Sequence, residues 1–303
     1  YLLTGPTASG KSALAVEWAR AHGAEIVSCD ALQVYQGMDI GTAKPGPTER
    51  GGVPHWCLDV VPVNRHCNVR EYLDLASAVV ADIYRRGKHA LVAGGSGFYL
   101  KGYFAPVTDD LPIPKAVART VADLERTSGL EGMLARLRGL NPGGLGGLDT
   151  RNPRRVSRAL ERCLASGRTL AQLQAAFCAQ GTPFDAYERR LARIERDDAV
   201  LRRRIAARSR AMLEAGLIGE VGDLRRAGLE ANPAAASAIG YRETLAWLDA
   251  PEAARDPEAL AGEISAHTWK LVRKQRTWFR GQLPEHPVID ASEGLAGLEK
   301  AFG

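Results

Sequence analysis

Cysteine is scarce and scattered in this sequence of 303 residues. The five cysteines form no C-x-x-C pair, and an odd, dispersed set indicates free thiols in a reducing compartment. No apolar run approaches the roughly 18 residues that a membrane-spanning helix needs, and no signal peptide or internal repeat is visible. These absences exclude a disulfide framework, a membrane protein and a repeat array, and they predict a cytoplasmic protein.

Three common kinds of site are also missing. No order of serine, histidine and aspartate indicates a hydrolase triad, and no stretch resembles a dinucleotide-binding fingerprint. His55, Cys57, His66 and Cys67 have ligand-type side chains within a short span, but their spacing does not match a structural zinc site. The sequence therefore predicts neither a serine hydrolase, nor a dinucleotide-dependent enzyme, nor a zinc protein.

The composition is that of a globular protein with a mild excess of positive charge. Hydrophobic residues make up 45% of the chain, enough to bury a full core in one large or two modest domains. The net charge is +5 and the isoelectric point is near 9.0. This balance favours an anionic partner without identifying one.

The N-terminal part of the sequence contains a phosphate-binding loop of the form G-x-x-x-x-G-K-S. A short apolar strand at residues 1–4 precedes it and a helix at residues 13–22 follows it, which is the context that such a loop requires. The glycines let successive N–H groups point at phosphate oxygens, the lysine adds a cation, and the serine hydroxyl is a ligand for Mg²⁺. The loop consists of Gly5, Pro6, Thr7, Ala8, Ser9, Gly10, Lys11 and Ser12. It predicts a ligand with at least two phosphates and leaves that ligand's identity open.

A second strand places one carboxylate beside this loop. Residues 25–29 form a buried parallel strand that ends at Asp30, so the start of the chain is a βαβ unit of an α/β fold. Ligands of such sheets bind beyond the carboxyl ends of the strands, which puts Asp30 in the crevice of the phosphate loop. The strand at residues 89–93 ends in Ala93-Gly94-Gly95, where a hydrolytic P-loop enzyme usually has a metal-binding aspartate. An ordinary nucleoside triphosphatase is therefore disfavoured, and residues 31–45 are expected to form an ordered binding loop.

The pattern of elements predicts a P-loop NTPase-like parallel sheet flanked by helices, interrupted by an all-helical insertion. We expect the first part of the core at residues 1–111, the insertion at 112–186, and completion of the core with basic C-terminal helices at 187–303. Further strands are predicted at 55–61, 190–195 and 288–290, and helices at 69–86, 117–126, 130–137 and 152–165.

Two clusters of basic residues lie outside the phosphate loop. The first, at residues 151–158, begins a helix of the insertion; the second, at residues 268–280, has no acidic residue and is interleaved with Trp269, Trp278 and Phe279. Such a mixture is typical of surfaces that neutralise phosphates and stack on unpaired bases. A solvated helix whose tryptophans face the core is the alternative reading.

Six blocks of the sequence together resemble the bacterial tRNA dimethylallyltransferase (tRNA isopentenyltransferase) family, and they span nearly the whole chain. The blocks are residues 5–12, 29–35, 37–45, 94–99, 154–161 and 239–243. The segment from 33 to 45 is the most specific, because many families share the phosphate loop. The sequence departs from the family pattern at Ala31, where serine is usual, at Phe98, where leucine is usual, and across residues 66–71.

The resemblance implies transfer of a dimethylallyl group from dimethylallyl diphosphate to N6 of the adenosine at tRNA position 37, just 3′ of the anticodon. The phosphate loop would then hold the leaving diphosphate together with Mg²⁺ at Ser12, while Lys11 and Arg208 stabilise the developing charge. Asp30 would accept the N6 proton. Ser96, at a position where the family usually has threonine, would orient N6, and an extruded base would be read by Gln33.

The resemblance also implies the positions that contact the anticodon arm of tRNA. The insertion and the basic C-terminal helix would hold the arm from two sides, mostly through its phosphates. The implied contact positions are Asp30, Ala31, Leu32, Gln33, Ser96, Arg154, Arg155, Val156, Ser157, Arg158, Tyr241 and Arg242. We expect a monomer without a membrane partner.

Three other functions fit part of the sequence. A small-molecule kinase shares the phosphate loop and the aspartate after the second strand, and it would consume ATP. An isopentenyltransferase that acts on free adenine nucleotides would need neither the insertion nor the basic helix. An RNA-binding protein with a vestigial nucleotide site is disfavoured because Lys11, Ser12 and Asp30 are intact.

Overall fold

The structure is a computed structural model that describes residues 1–109 and 111–303. The strands are β1 (Leu2–Thr4), β2 (Glu25–Ser28), β3 (His55–Trp56), β4 (Ala90–Gly94), β5 (Leu191–Glu195) and β6 (Val288–Asp290). The helices are α1 (Lys11–Ala21), α2 (Pro47–Arg50), α3 (Val69–Arg85), α4 (Gly97–Lys101), α5 (Lys115–Leu140), α6 (Pro153–Ser166), α7 (Leu170–Cys178), α8 (Asp198–Glu214), α9 (Leu217–Arg226), α10 (Pro233–Ala236), α11 (Tyr241–Asp249), α12 (Pro257–Gln282) and α13 (Gly294–Phe302).

The strands form one parallel sheet in the order β3-β2-β4-β1-β5-β6. The predicted α/β fold with a parallel sheet flanked by helices is confirmed. Strand residues such as Leu3, Ile26, Leu91 and Ile194 are at most 3% exposed and form the core with α1 and α13. Near-continuous apolar strands of this kind are typical of sheets that are covered on both faces. β1 lies at the centre, between β4 and β5, so the phosphate loop that follows it starts in the middle of the sheet.

The chain divides into two compact units. The first consists of Tyr1–Phe104 and Pro183–Gly303 and contains the whole sheet; the second is Ala105–Thr182, where the sequence predicted an insertion at 112–186. The second unit contains α5, α6 and α7. These helices pack around their own apolar cluster, which includes Met133, Leu137, Val156 and Leu160.

Four predicted elements differ from the structure. The strand expected at 55–61 covers only His55–Trp56, because Cys57 and Asp59 adopt left-handed backbone conformations with φ of 62° and 56°. The helices expected at 117–126 and 130–137 belong to the single element α5, which is interrupted where Gly129 takes a φ of 58°. The first helix begins at Lys11 rather than at residue 13. The predicted strands β5 and β6 are confirmed.

Candidate active site

The phosphate loop connects the end of β1 to the start of α1. Gly10 precedes the helix with a φ of 100°, a conformation that favours glycine. The N–H groups of Gly10, Lys11, Ser12 and Ala13 find no acceptor among the described residues. Together with the positive end of the helix dipole, they form a ready site for an anion.

Two arginines hold the loop from behind. Arg196 Nε donates to the carbonyl oxygen of Ser9 at 3.0 Å, and Arg204 Nε donates to that of Ala8 at 2.7 Å. These bonds satisfy carbonyl groups that would repel a phosphate if they turned inward. The sequence analysis missed both residues; the spacing of four between Arg204 and Arg208 on α8, which puts them on one helix face, was the available signal.

The loop borders a cavity of about 800 Å³ whose lining includes the carboxylate of Asp30 and the cations Lys11 and Arg208. Asp30 follows β2, and its Oδ1 accepts hydrogen bonds from the N–H groups of Leu32 at 2.9 Å and Gln33 at 3.4 Å. Its Oδ2 accepts none within the described ranges. The residues that line this cavity include Thr7, Gly10, Lys11, Ser12, Asp30, Gln33, Thr42, Glu49, Arg204, Arg208 and Met212. The predicted proximity of Asp30 to Lys11 and Ser12 is present in the structure.

Lys11 and Arg208 are half-buried cations in the lining of this cavity. Burial lowers the pKa of the Lys11 ammonium, and the charge of Asp30 partly offsets this effect. Burial likewise lowers the pKa of the Arg208 guanidinium, again with Asp30 opposing. Arg208 reaches Thr7 Oγ1 and the Thr42 carbonyl only at 3.4 Å each, so its donors are weakly engaged. Desolvated cations with spare donors bind an incoming anion more strongly than solvated ones do.

A second, mostly apolar cavity of about 320 Å³ meets the first. The two share Thr7, Asp30, Thr42, Arg208 and Met212, among other residues. Its remaining lining is largely aliphatic and includes Leu32, Ile205, Ala234, Ala238, Ile239, Ile264 and Leu271. Asp30 and Arg208 therefore stand where a polar chamber joins an apolar one. This arrangement lets two different reactants meet at one carboxylate.

Ser96 and Gln33 act on the backbone around this junction. Ser96 Oγ accepts a hydrogen bond from Ala31 N at 2.8 Å, so the turn after β4 holds the residue that follows Asp30. Gln33 Oε1 accepts from Ser28 Oγ at 3.0 Å, and its Nε2 donates to the carbonyl groups of residues 42 and 43. In the described structure Ser96 lines neither cavity, whereas Gln33 lines the larger one.

The binding loop at residues 37–45 is fixed by a carboxylate that the sequence analysis missed. Glu220 accepts hydrogen bonds from the N–H groups of Asp39, Ile40 and Gly41 at 3.1, 2.6 and 3.1 Å, and from the Tyr241 hydroxyl at 2.7 Å. Tyr241 is fully buried, and a Cβ at Gly41 would lie 2.5 Å from its ring. Tyr241, expected to contact tRNA, therefore supports the loop from inside; the neighbouring Arg242 has a half-exposed side chain.

The helical unit carries the first basic cluster on α6. Arg154, Arg155 and Arg158 are exposed and line an open groove of about 860 Å³ opposite the glycine-rich segment 143–147. Ser157 is half-buried, whereas Val156 is buried in the core of this unit and offers no side chain to a partner. Val156 and Ser157 follow Arg155 and precede Arg158 in the sequence, but they lie on a different face of the helix because a helix turns about 100° per residue.

The basic helix α12 is less free than its sequence indicates. Arg276 donates to Glu195 Oε2 at 2.9 Å and also pairs with Asp198, so acids distant in sequence neutralise it. Residues 268–280 contain no acidic residue, and the expectation that their cations therefore lack compensating carboxylates is wrong for Arg276. Trp269 lies 3.9 Å below the Arg202 guanidinium. The cations of α12 that remain exposed are Lys270, Arg273, Lys274 and Arg280.

The structure offers a metal ion only a partial set of ligands. Over residues 1–109 and 111–303, no group of three or more His, Cys, Asp or Glu side chains could hold a metal. Ser12 is exposed at the mouth of the cavity, with Asp30 in the same lining. This set fits Mg²⁺, which keeps several waters and takes its other ligands from phosphate oxygens.

Over residues 1–109 and 111–303, no helix is both long and apolar enough to cross a membrane.

A phosphate loop at the carboxyl edge of a six-stranded parallel sheet defines a P-loop-like α/β protein. The sequence model of the IPP transferase family matches residues 33–282. A tRNA dimethylallyltransferase from Opitutus terrae is 54% identical over 292 residues, which cover 96% of this chain and 92% of that protein. Another from Acidothermus cellulolyticus is 40% identical over 302 residues, covering 99% of this chain and 91% of that protein.

Solved structures agree with this assignment. The crystal structure of a tRNA delta(2)-isopentenylpyrophosphate transferase from Staphylococcus epidermidis has a TM-score of 0.66 at 30% identity, covering 99% of this chain and 95% of that one. A eukaryotic dimethylallyltransferase acting on tRNA has a TM-score of 0.82 at 22% identity, covering 99% of this chain and 76% of that one, which supports the fold alone. The chain belongs to the IPP transferase family.

Proposed function

We propose that this protein transfers a dimethylallyl group from dimethylallyl diphosphate to N6 of the adenosine at tRNA position 37 and releases diphosphate. The observation that carries the proposal is the position of Asp30. Its carboxylate stands between a cavity bordered by the phosphate loop and a second cavity that is mostly apolar. The charged diphosphate of a donor fits the first cavity, and a flat, uncharged nucleobase fits the second.

The donor's diphosphate binds in the larger cavity. The N–H groups at residues 10–13, which have no acceptor within the described ranges, and the half-buried cations Lys11 and Arg208 surround the oxygens that gain charge when the carbon–oxygen bond breaks. Ser12 would hold Mg²⁺ together with the diphosphate, and the ion would further stabilise negative charge on the leaving group. These groups are worth most in a site from which water is excluded, because the local dielectric is low.

The adenine enters the smaller cavity and presents N6 to the junction. As the bond from the dimethylallyl carbon to N6 forms and the bond to diphosphate breaks, Asp30 accepts the proton that N6 releases. Oδ1 is held by two backbone N–H groups, so Oδ2 is the oxygen available to the proton. The base must leave its stack to reach this position, so the modified nucleotide is extruded from the tRNA.

The anticodon arm is held by exposed cations on separate parts of the chain. Arg154, Arg155 and Arg158 on α6, Arg242 on α11, which also pairs with Glu243, and the exposed cations of α12 present their charges to solvent, where phosphates can bind. The main chain of Asp30, Ala31 and Leu32 and the Gln33 amide contact the inserted nucleotide. We place the enzyme in the cytoplasm as a monomer.

The proposal is tested by supplying competing donors and acceptors. Purified protein is incubated with Mg²⁺, labelled dimethylallyl diphosphate, and either unmodified tRNA or AMP, with ATP as the alternative donor. Label in tRNA, located at the nucleotide 3′ of the anticodon, is the expected result. Label in AMP would instead indicate an isopentenyltransferase of free nucleotides, and transfer of the γ-phosphate of ATP would indicate a kinase.

A further inference from the structure

Gln275 on α12 joins two parts of the active site that are far apart in sequence. Its Oε1 accepts a hydrogen bond from Thr7 N in the phosphate loop at 3.0 Å, and its Nε2 donates to the carbonyl oxygen of Gly95 at 3.0 Å. An N–H group can only donate and a carbonyl oxygen can only accept, so these partners fix the orientation of the amide. One side chain thus holds the loop that binds diphosphate and the turn that follows β4.

The turn at Gly95 is connected to Asp30, the proposed proton acceptor, through one hydrogen bond. Ser96, the next residue, accepts a hydrogen bond from Ala31 N, and Ala31 follows Asp30. Thr7 and Asp30 both line the place where the two cavities meet. Gln275 lines neither cavity in the described structure, so it acts from behind the junction rather than on a reactant.

The helix that carries Gln275 is itself firmly held. The adjacent residue Arg276 binds Glu195 at the end of β5 and donates to the carbonyl oxygen of Arg196 at 2.8 Å. Three residues further along the same face of the helix, Trp278 lies so close to Gly97 that a Cβ there would be 2.4 Å from its ring. Gln275 therefore has little freedom to shift, and the two groups that it binds are set at a fixed separation.

We propose that Gln275 is a positioning residue that sets the distance between the diphosphate held by the phosphate loop and the proton acceptor Asp30. The inference rests on the proposed function. Displacement of a reacting group by about 1 Å lowers the rate of a chemical step by up to about 100-fold, although each substrate still binds. The effect of losing Gln275 is therefore expected in kcat rather than in KM.

The test compares Gln275→Met with Gln282→Met. Methionine has nearly the same shape as glutamine but cannot make either hydrogen bond, and Gln282 is an exposed glutamine at the end of the same helix. We expect Gln275→Met to lower kcat for tRNA prenylation about 10- to 100-fold, with KM for dimethylallyl diphosphate and Kd for tRNA within about threefold of wild type. Gln282→Met should keep wild-type kcat.

A kcat for Gln275→Met within twofold of wild type would overturn the inference, as would an equal loss in Gln282→Met or a loss that appears only as raised KM. If Gln275→Met does not fold, Gln275→Glu, which keeps the acceptor for Thr7 and removes the donor to Gly95, is put through the same measurements. Failure of the proposed function looks different, because the wild-type enzyme run alongside would then leave tRNA unlabelled, and the inference would fall with it.

Discussion

Replacing Asp30 by asparagine separates the chemistry of the site from its binding functions. The asparagine Oδ1 can still accept the hydrogen bond from Leu32 N that Asp30 accepts at 2.9 Å, so the loop geometry is retained. The oxygen that we assign to proton transfer becomes an amide group that cannot accept the proton. Removal of a positioned general base lowers the rate by about 100- to 10,000-fold. This loss corresponds to roughly 3 to 5 kcal/mol of transition-state stabilisation.

The same substitution has the opposite effect on diphosphate. The charge of Asp30 favours the protonated forms of Lys11 and Arg208, and it also cancels part of the field that they present to an anion. Without that charge, an incoming diphosphate meets less repulsion. We therefore expect the Kd of Mg²⁺-diphosphate to stay equal or fall, while single-turnover transfer to tRNA drops by the factor above.

Glu49→Gln is the matched control. Glu49 lines the same cavity and also acts on the Arg208 charge, but it is exposed and lies on α2, away from the junction. Its loss removes one negative charge without removing the base, so the transfer rate should stay within about threefold of wild type. Single-turnover rates and calorimetric titration with Mg²⁺-diphosphate measure both quantities. Asp30→Asn turnover within threefold of wild type, or diphosphate affinity that falls in step with the rate, would refute the reasoning.

Three further predictions concern stability, loop support and tRNA binding. Glu25 is buried among basic side chains. Their hydrogen bonds, chiefly one from a guanidinium, lower the pKa of its carboxyl group from 4.5 to about 2. A carboxyl group whose pKa is lowered by folding stabilises the fold at pH values above its unfolded pKa, and this stabilisation is lost on acidification. Glu25→Gln should therefore lower the free energy of unfolding by roughly 3 kcal/mol at pH 7 and flatten its pH dependence between pH 4.5 and 2. An acid-unfolding curve identical to that of wild type would contradict this. Tyr241→Phe removes the hydroxyl that Glu220 binds and should raise KM for tRNA a few-fold while tRNA-independent diphosphate binding stays constant; an unchanged KM would show that the loop needs no such support. Arg273→Ala with Lys274→Ala should weaken tRNA binding and reduce the slope of log affinity against log salt concentration by about 2, and an unaltered slope would place these cations off the RNA.

Much of the site was predictable because its signals are local. The phosphate loop carries its turn residues and its cation within one continuous stretch, and Asp30 directly follows a strand whose apolar residues identify it. Parallel strands bring their carboxyl ends to one edge, so Asp30 was predicted to share a crevice with the phosphate loop, although β4 lies between β1 and β2 in the sheet. The choice of Arg208 rested on family resemblance, and the structure places it in the linings of both cavities.

The residues that support the site could not be predicted, since they act across long sequence separations. Gln275 binds Thr7 from 268 residues away, and Glu220 reaches Ile40 across 180 residues. Neither belongs to a motif whose spacing implies chemistry. The burial of Tyr241 was equally hidden, because it depends on a glycine 200 positions earlier that leaves room for its ring. Local patterns therefore predicted the groups that we propose to react, whereas the residues that support them are seen only in the structure.

The central position of β1 has a consequence for the order in which the protein acquires its activity during synthesis on the ribosome. One of the two partners of β1, β5, is made only after the whole helical unit, and the side chains that brace the phosphate loop follow later still. A nascent chain that has not passed residue 275 lacks at least the last of the three side chains that brace this loop. We therefore expect the phosphate loop of a growing polypeptide to reach its final shape only after residue 275 has been added.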